Sequence, residues 1–150
     1  MLRFLSICAE IEDVVGDIYR VLAERVECDE PLKALWAQMA RDEEAHAMQL
    51  RFAMRLPASQ TFKPKTLPLA QAEQLLKSAH GILAGARTSP LNERLALRLS
   101  RKLEEDFVAI HIGAAMAFRD DSMRQMLNCL GSADREHIEK LRKICRERGV

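Results

Sequence analysis

Glu43 and His46 stand three residues apart inside the stretch Arg41-Asp42-Glu43-Glu44-Ala45-His46. On a helix, residues at that spacing lie on one face, one turn apart. A carboxylate and an imidazole placed so can close on one metal ion from the same side. Taken alone the step is weak, because charged helices write it by chance. It recurs, however, as Asp134-Arg135-Glu136-His137. These groups need a cation if they face a core and need nothing if they face water, so the elements that carry them decide their meaning.

The elements read as helices. Apolar residues make up 48% of the 150 residues and charged residues 30%, with few Gly and Pro, a composition for one helical folded domain spanning 1–150. A first helix is expected over residues 2–27, with Leu5, Cys8, Glu12, Val15, Tyr19, Leu22 and Val26 on its inward stripe. Asp29 caps a second helix and Pro31 sits in its first turn. That helix is expected over 30–56 with the stripe Leu32, Leu35, Met39, Glu43, His46, Leu50 and Ala53. Residues 57–68 read as a connection, and 69–83 as a short helix weakened by Gly81 and Gly85. Ser89-Pro90 reads as the start of a third long helix, over 90–119, on which Leu97, Glu104, His111, Ala115 and Phe118 face inward. Asp120-Asp121-Ser122 caps a fourth, running to about 146 with Met123, Leu127, Leu130, Asp134, His137, Leu141 and Ile144 inward. Gly131-Ser132 marks either a kink or a thin spot where helices approach. The fold class is therefore all-α: an antiparallel four-helix bundle with a long crossover between its second and third helices that carries an extra short helix.

The two halves superpose in sequence. Ile11-Glu12 through Tyr19 matches Leu103-Glu104 through His111, and Glu43 to His46 matches Asp134 to His137. Six ionisable groups thus fall on inward stripes: Glu12, Glu43, His46, Glu104, Asp134 and His137. Burying one unpaired carboxylate costs several kcal/mol or forces its protonation, and four together repel. Two divalent cations cancel the four charges, with neutral histidines binding through one ring nitrogen each. Oxygen-rich ligation with one imidazole per metal suits iron or manganese better than structural zinc. On the competing reading, the stripes are drawn one residue wrong and Glu44, Glu105 or Glu136 takes the inward place. Glu104 against Glu105 is the closest of these choices. Tyr19 and His111 occupy matching positions one heptad past Glu12 and Glu104. Both are placed to hydrogen-bond a ligand carboxylate from outside the metal. Filling the seam is the alternative for Tyr19, and His111 is read as supporting a ligand rather than being one.

Other residues are read as structural. Cys8, Cys28, Cys129 and Cys145 form no Cys-x-x-Cys pair, which excludes a zinc ribbon, a rubredoxin-type site and a thioredoxin-like motif. Free thiols place the chain in the cytoplasm. A net charge of +1, from 23 basic and 22 acidic side chains, gives no case for nucleic acid or an anionic membrane. Cys8, Trp36 and the methionines Met39, Met48, Met54, Met116, Met123 and Met126 are read as core or interface filler, and His80 as an ordinary, partly exposed histidine.

Glu12 with Tyr19 one heptad on, Glu43 to His46, Glu104, and Asp134 to His137 together resemble the rubrerythrin branch of the ferritin-like superfamily, over nearly the whole chain apart from the crossover. The resemblance implies a di-iron centre, with Glu12, Glu43 and His46 on one side, Glu104, Asp134 and His137 on the other, and Glu43 and Asp134 bridging. It implies a ferritin-like bundle and two Fe ions, with Mn as the alternative metal. The implied function is reaction with dioxygen or hydrogen peroxide, as a rubrerythrin-like peroxidase or a ferroxidase. The partners are then a small oxidant, an electron donor and further copies of the chain, most simply in a homodimer. The pattern departs from the family in four places, one of them a crossover longer than usual. No rubredoxin domain follows, Phe107 stands where an extra Glu is usual, and Asp134 replaces Glu. Non-catalytic iron binding, storage or sensing is the alternative function, and a bundle whose polar seam serves only helix pairing is a third.

Overall fold

The computed structural model describes residues 2–55, 68–116 and 121–150. Five helices make up these residues, without a strand among them: α1 (Leu2–Arg25), α2 (Glu30–Ala53), α3 (Leu69–Thr88), α4 (Glu93–Ala115) and α5 (Asp121–Arg148). None is long and apolar enough to cross a membrane. Buried residues from all five form one apolar cluster, with Phe4, Leu5, Ile11, Tyr19, Trp36, Leu50, Leu97 and Leu127 among its members.

Local chemistry sets the boundaries. Asp29 accepts a hydrogen bond from Leu32 N, 3.2 Å away, and Pro31 stands in the first turn of α2, as expected. The start of α4 differs from expectation. Asn92, not Ser89, is its cap, and accepts from Leu95 N at 2.9 Å. Ser89 instead closes α3 in extended backbone and donates its N–H to Gly85 O. The chain offers two capping residues within four positions, and α3 uses the first. Helix α3 also runs to Thr88, beyond the expected 83. Gly81 and Gly85 do not end it because both face open space, while Ala72, Leu75, Ala79, Leu83 and Ala86 keep its other face buried. The expected connection up to residue 67, the ends of the second and third long helices at Leu56 and Arg119, inward Phe118 and the cap at Asp120 lie outside the described residues.

Helix α1 packs along α2 and α3, and α4 along α5. Ion pairs record the direction of each pairing. On α1 and α2, Asp13 meets Arg51 and Arg20 meets Glu44; on α4 and α5, Glu93 meets Arg148 and Glu105 meets Arg142. In each pair of helices the numbers rise on one as they fall on the other. Two glycines allow close approach. A Cβ on Gly16 would meet Ala40 O at 3.4 Å and Glu43 Cβ at 3.5 Å; one on Gly131 would meet Ile112 Cγ1 at 3.3 Å and His111 Cβ at 3.5 Å. Helix α5 continues unbroken through Gly131, where it lies close against α4.

Between α1–α2 and α4–α5 the backbones approach less, and long side chains span the gap. The indole N–H of Trp36 donates to Ser100 Oγ at 3.0 Å, which itself donates to Ala96 O at 2.9 Å. Arg148 reaches Asp29 at 2.7 Å and Glu93 at 2.8 Å. The remaining bridges lie at the centre, among the charged groups. Cys8 is buried and all four cysteines are free thiols. His80 is exposed on α3, 3.5 Å from Glu10. The methionines divide: Met39 and Met123 are buried, while Met48 and Met116 are exposed.

Candidate metal centre

Four helices each deliver a charged group to the same interior place: Glu12 from α1, Glu43 and His46 from α2, Glu104 from α4, and Asp134 and His137 from α5. None of the six is more than 6% exposed. Neighbouring carboxylates point away. Glu44 pairs with Arg20, Glu105 with Arg101 and Arg142, and Glu136 is exposed. Glu104, not Glu105, is therefore the inward carboxylate.

Glu43 organises the cluster. Its Oε2 lies 3.0 Å from His46 Nδ1, and its Oε1 lies 3.4 Å from His137 Nδ1. The rings of those two histidines stand 6.5 Å apart, centre to centre. His46 Nδ1 is also 3.9 Å from Glu12 Oε2, and His137 Nδ1 is 3.3 Å from Glu104 Oε2. Among the described residues, two groups of donor atoms are spaced to hold a metal ion: Glu12, Glu43 and His46, and Glu43, Glu104 and His137. Glu43 belongs to both, one oxygen toward each histidine, as a bridging carboxylate would.

Asp134 stands in neither group. Its Oδ2 faces His111 Nδ1 at 2.8 Å, so the partnership expected to make it the second bridge is not the one formed. An aspartate is one methylene shorter than a glutamate, and the α4 imidazole lies within its reach. Of the two readings of Tyr19, a hydrogen bond to a carboxylate and a filled seam, the structure shows the first: its hydroxyl donates to Glu104 Oε1 at 2.5 Å, across from α1 to α4. His111 makes the reciprocal crossing, with Nε2 3.2 Å from Glu12 Oε1.

Sequence reasoning missed Asp42. Its Oδ2 lies 3.1 Å from His137 Nε2. An ionised carboxylate only accepts, so Asp42 accepts a hydrogen bond from the Nε2 proton of His137, and Nδ1 is the nitrogen left to face Glu43 and Glu104. The signal was present, since Asp42 immediately precedes the Glu-x-x-His step; its partner on another helix was not. The matching residue of the second half is Ala133, so His46 has no counterpart to Asp42 at that position.

Charge is out of balance without a cation. Burial, and then the negative charge of Glu43, push the Glu12 carboxyl well above its usual range. The same two causes raise Glu104 to about 7, against the opposing pull of His137. Burial disfavours a charged His137, but the Glu104 and Glu43 carboxylates beside its Nδ1 outweigh it and raise the imidazole to about 11. Glu43 is held low in spite of burial, because His137 and His46 stand against its two oxygens. Both oxygens of Glu12, Oε1 of Glu43 and Nε2 of His111 are buried with no hydrogen-bond partner. Unpaired buried acceptors of this kind cost about 1–3 kcal/mol each. Three carboxylate oxygens and one ring nitrogen without donors, gathered at one point, fit a metal cation.

No family of known sequences, no curated protein and no solved structure matches the chain.

Two outcomes follow. Replacing Asp42 with alanine is expected to weaken metal binding by about 10–100-fold while leaving the helical circular dichroism unchanged; equilibrium dialysis reads this. The second concerns pH. Glu104 and His137 both hold protons more tightly folded than unfolded, so each contributes stability at low pH. The Glu104 contribution is lost as pH rises from about 4.5 through about 7, and the His137 contribution between about 6.5 and about 11. Glu43, shifted the other way, already contributes in full above about 4.5. The metal-free chain is therefore expected to unfold at lower denaturant concentration at about pH 9 than at about pH 5, and a saturating divalent metal should reverse that order.

Proposed function

We propose that the chain is an antiparallel ferritin-like bundle in which α1, α2, α4 and α5 enclose a di-iron carboxylate centre and α3 is an addition on the crossover. The bridging disposition of Glu43 carries the reading. One residue that offers a separate oxygen to each of two histidine-containing groups is the minimum needed to couple two metals. The opposed numbering of the ion pairs within each hairpin supports the antiparallel arrangement. The mixed oxygen and imidazole donors favour iron, with manganese next.

The function that follows is oxidoreduction of a small oxidant, dioxygen or hydrogen peroxide. Two ferrous ions, if bound by Glu12, Glu43, His46, Glu104 and His137, would supply the two electrons that with two protons reduce one hydrogen peroxide to two waters. The protein's own contribution is positional. Glu43 fixes the spacing, Asp42 and Tyr19 hold His137 and Glu104 from behind, and the apolar residues around them exclude bulk water. Burial of Glu12, Glu43, His46, Glu104 and His137 favours a substrate as small as peroxide. Repeated turnover requires an external electron donor, and we place the reaction in the cytoplasm, where such donors and free thiols coexist.

The test is peroxide consumption by the iron-loaded chain. Without a donor, about one peroxide per two irons should disappear; with a reducing dye present, consumption should continue, and Glu43→Gln should abolish it. Iron-loaded protein that consumes neither peroxide nor dioxygen faster than free iron would overturn the redox reading and leave iron binding or storage.

A further inference from the structure

Nε2 of His111 and Oε1 of Glu12 face each other 3.2 Å apart, and neither makes a hydrogen bond. Both residues are completely buried. The other ring nitrogen, Nδ1, lies 2.8 Å from Asp134 Oδ2. A carboxylate accepts and does not donate, so a neutral His111 sets its one proton on Nδ1, toward Asp134. That leaves a bare lone pair on Nε2 aimed at the lone pairs of Glu12. Two bare acceptors in contact in a dry interior repel, and either a proton or a metal ion lying between them turns the same geometry into attraction.

The internal repeat sharpens the point. Tyr19 and His111 occupy matching positions, and each crosses to the first carboxylate of the opposite half. Tyr19 brings a proton to Glu104. His111 brings a lone pair to Glu12. The two residues are equivalent in place and opposite in chemistry, so they do not share a role. Adjacent ligand atoms on an ion with bonds of about 2.0–2.2 Å lie about 3 Å apart, which the 3.2 Å between Nε2 and Oε1 matches. Glu12 can serve both sides, since Oε2 faces His46 and Oε1 faces His111.

We propose that His111 is a ligand of the centre through Nε2, in the place that the sequence pattern gives to Asp134, and that Asp134 orients the His111 ring without binding metal. The centre then has three imidazoles, from His46, His111 and His137, and three glutamates, from Glu12, Glu43 and Glu104. The proposal rests on the two-metal reading above and goes beyond it in naming the ligands. A carboxylate behind a ligating imidazole fixes its tautomer and raises its basicity. Asp134 does for His111 what Asp42 does for His137.

Zinc, being diamagnetic, lets the nitrogens be read one at a time. The full chain, labelled with ¹⁵N at histidine and loaded with Zn(II), is examined by long-range ¹H–¹⁵N correlation, which separates protonated, bare and metal-bound ring nitrogens. Three metal-bound nitrogens are expected: Nδ1 of His46, Nδ1 of His137 and Nε2 of His111. His111→Gln should remove only the third. Asp134→Asn should weaken zinc binding by about 10–100-fold and leave Nε2 of His111 bound. A proton on Nε2 of His111 in the zinc-loaded chain, with His46 and His137 bound, overturns this proposal and leaves the two-metal reading intact. If no histidine nitrogen responds to zinc, both fail. The decisive spectrum is that of the unsubstituted chain, so the result does not depend on whether either variant folds.

Discussion

Everything in this molecule answers to the burial of four carboxylates at one point. Glu12, Glu43, Glu104 and Asp134 are between 0% and 2% exposed, in a bundle whose other interior residues are mostly apolar. Each would cost several kcal/mol to bury alone, and their mutual repulsion adds to that. The chain meets part of the demand itself. Tyr19 donates to Glu104, His46 and His137 flank Glu43, and His111 meets Asp134. The rest is unmet, as the unpaired oxygens of Glu12 and Glu43 show. The same groups hold the hairpins together, because the central contacts between α1–α2 and α4–α5 run through them. Neutralising the charge and assembling the fold are one problem.

Much of this was legible in the chain because a helix converts spacing into facing. Glu12, Glu43, Glu104 and His137 lie inward as their stripes required, and Glu105 pairs with arginines as the rejected alternative should. What spacing cannot show is reach and partnership between helices. Asp134 faces inward as expected, yet a side chain one methylene short met an imidazole on α4 before it met the cluster. Asp42 was visible as a residue but not as the partner of His137, since 95 positions separate them. The length of α3 escaped for another reason. Gly81 and Gly85 weaken a helix in isolation, but its buried alanine and leucine face stabilises it through tertiary contact.

The repeat is imperfect in ways that matter. Gly16 and Gly131 both let neighbouring helices close in near the centre, one from the first helix of its hairpin and the other from the second. The chemistry differs too. Tyr19 answers to His111, Asp42 to Ala133 and Glu43 to Asp134. The changes replace a phenol with an imidazole, remove one carboxylate and shorten another, and together they make one half of the centre richer in carboxylate and the other richer in imidazole. Two metals in such a site would differ in charge environment even if they were the same element.

The most direct measurement is the number of metal ions the chain holds. Metal-free protein is titrated with Fe(II) under exclusion of oxygen, separated from free ions, and its iron counted per chain. The account predicts two ions per chain, bound cooperatively enough that Glu43→Gln loses both. One ion or none on the unaltered, folded chain would contradict it.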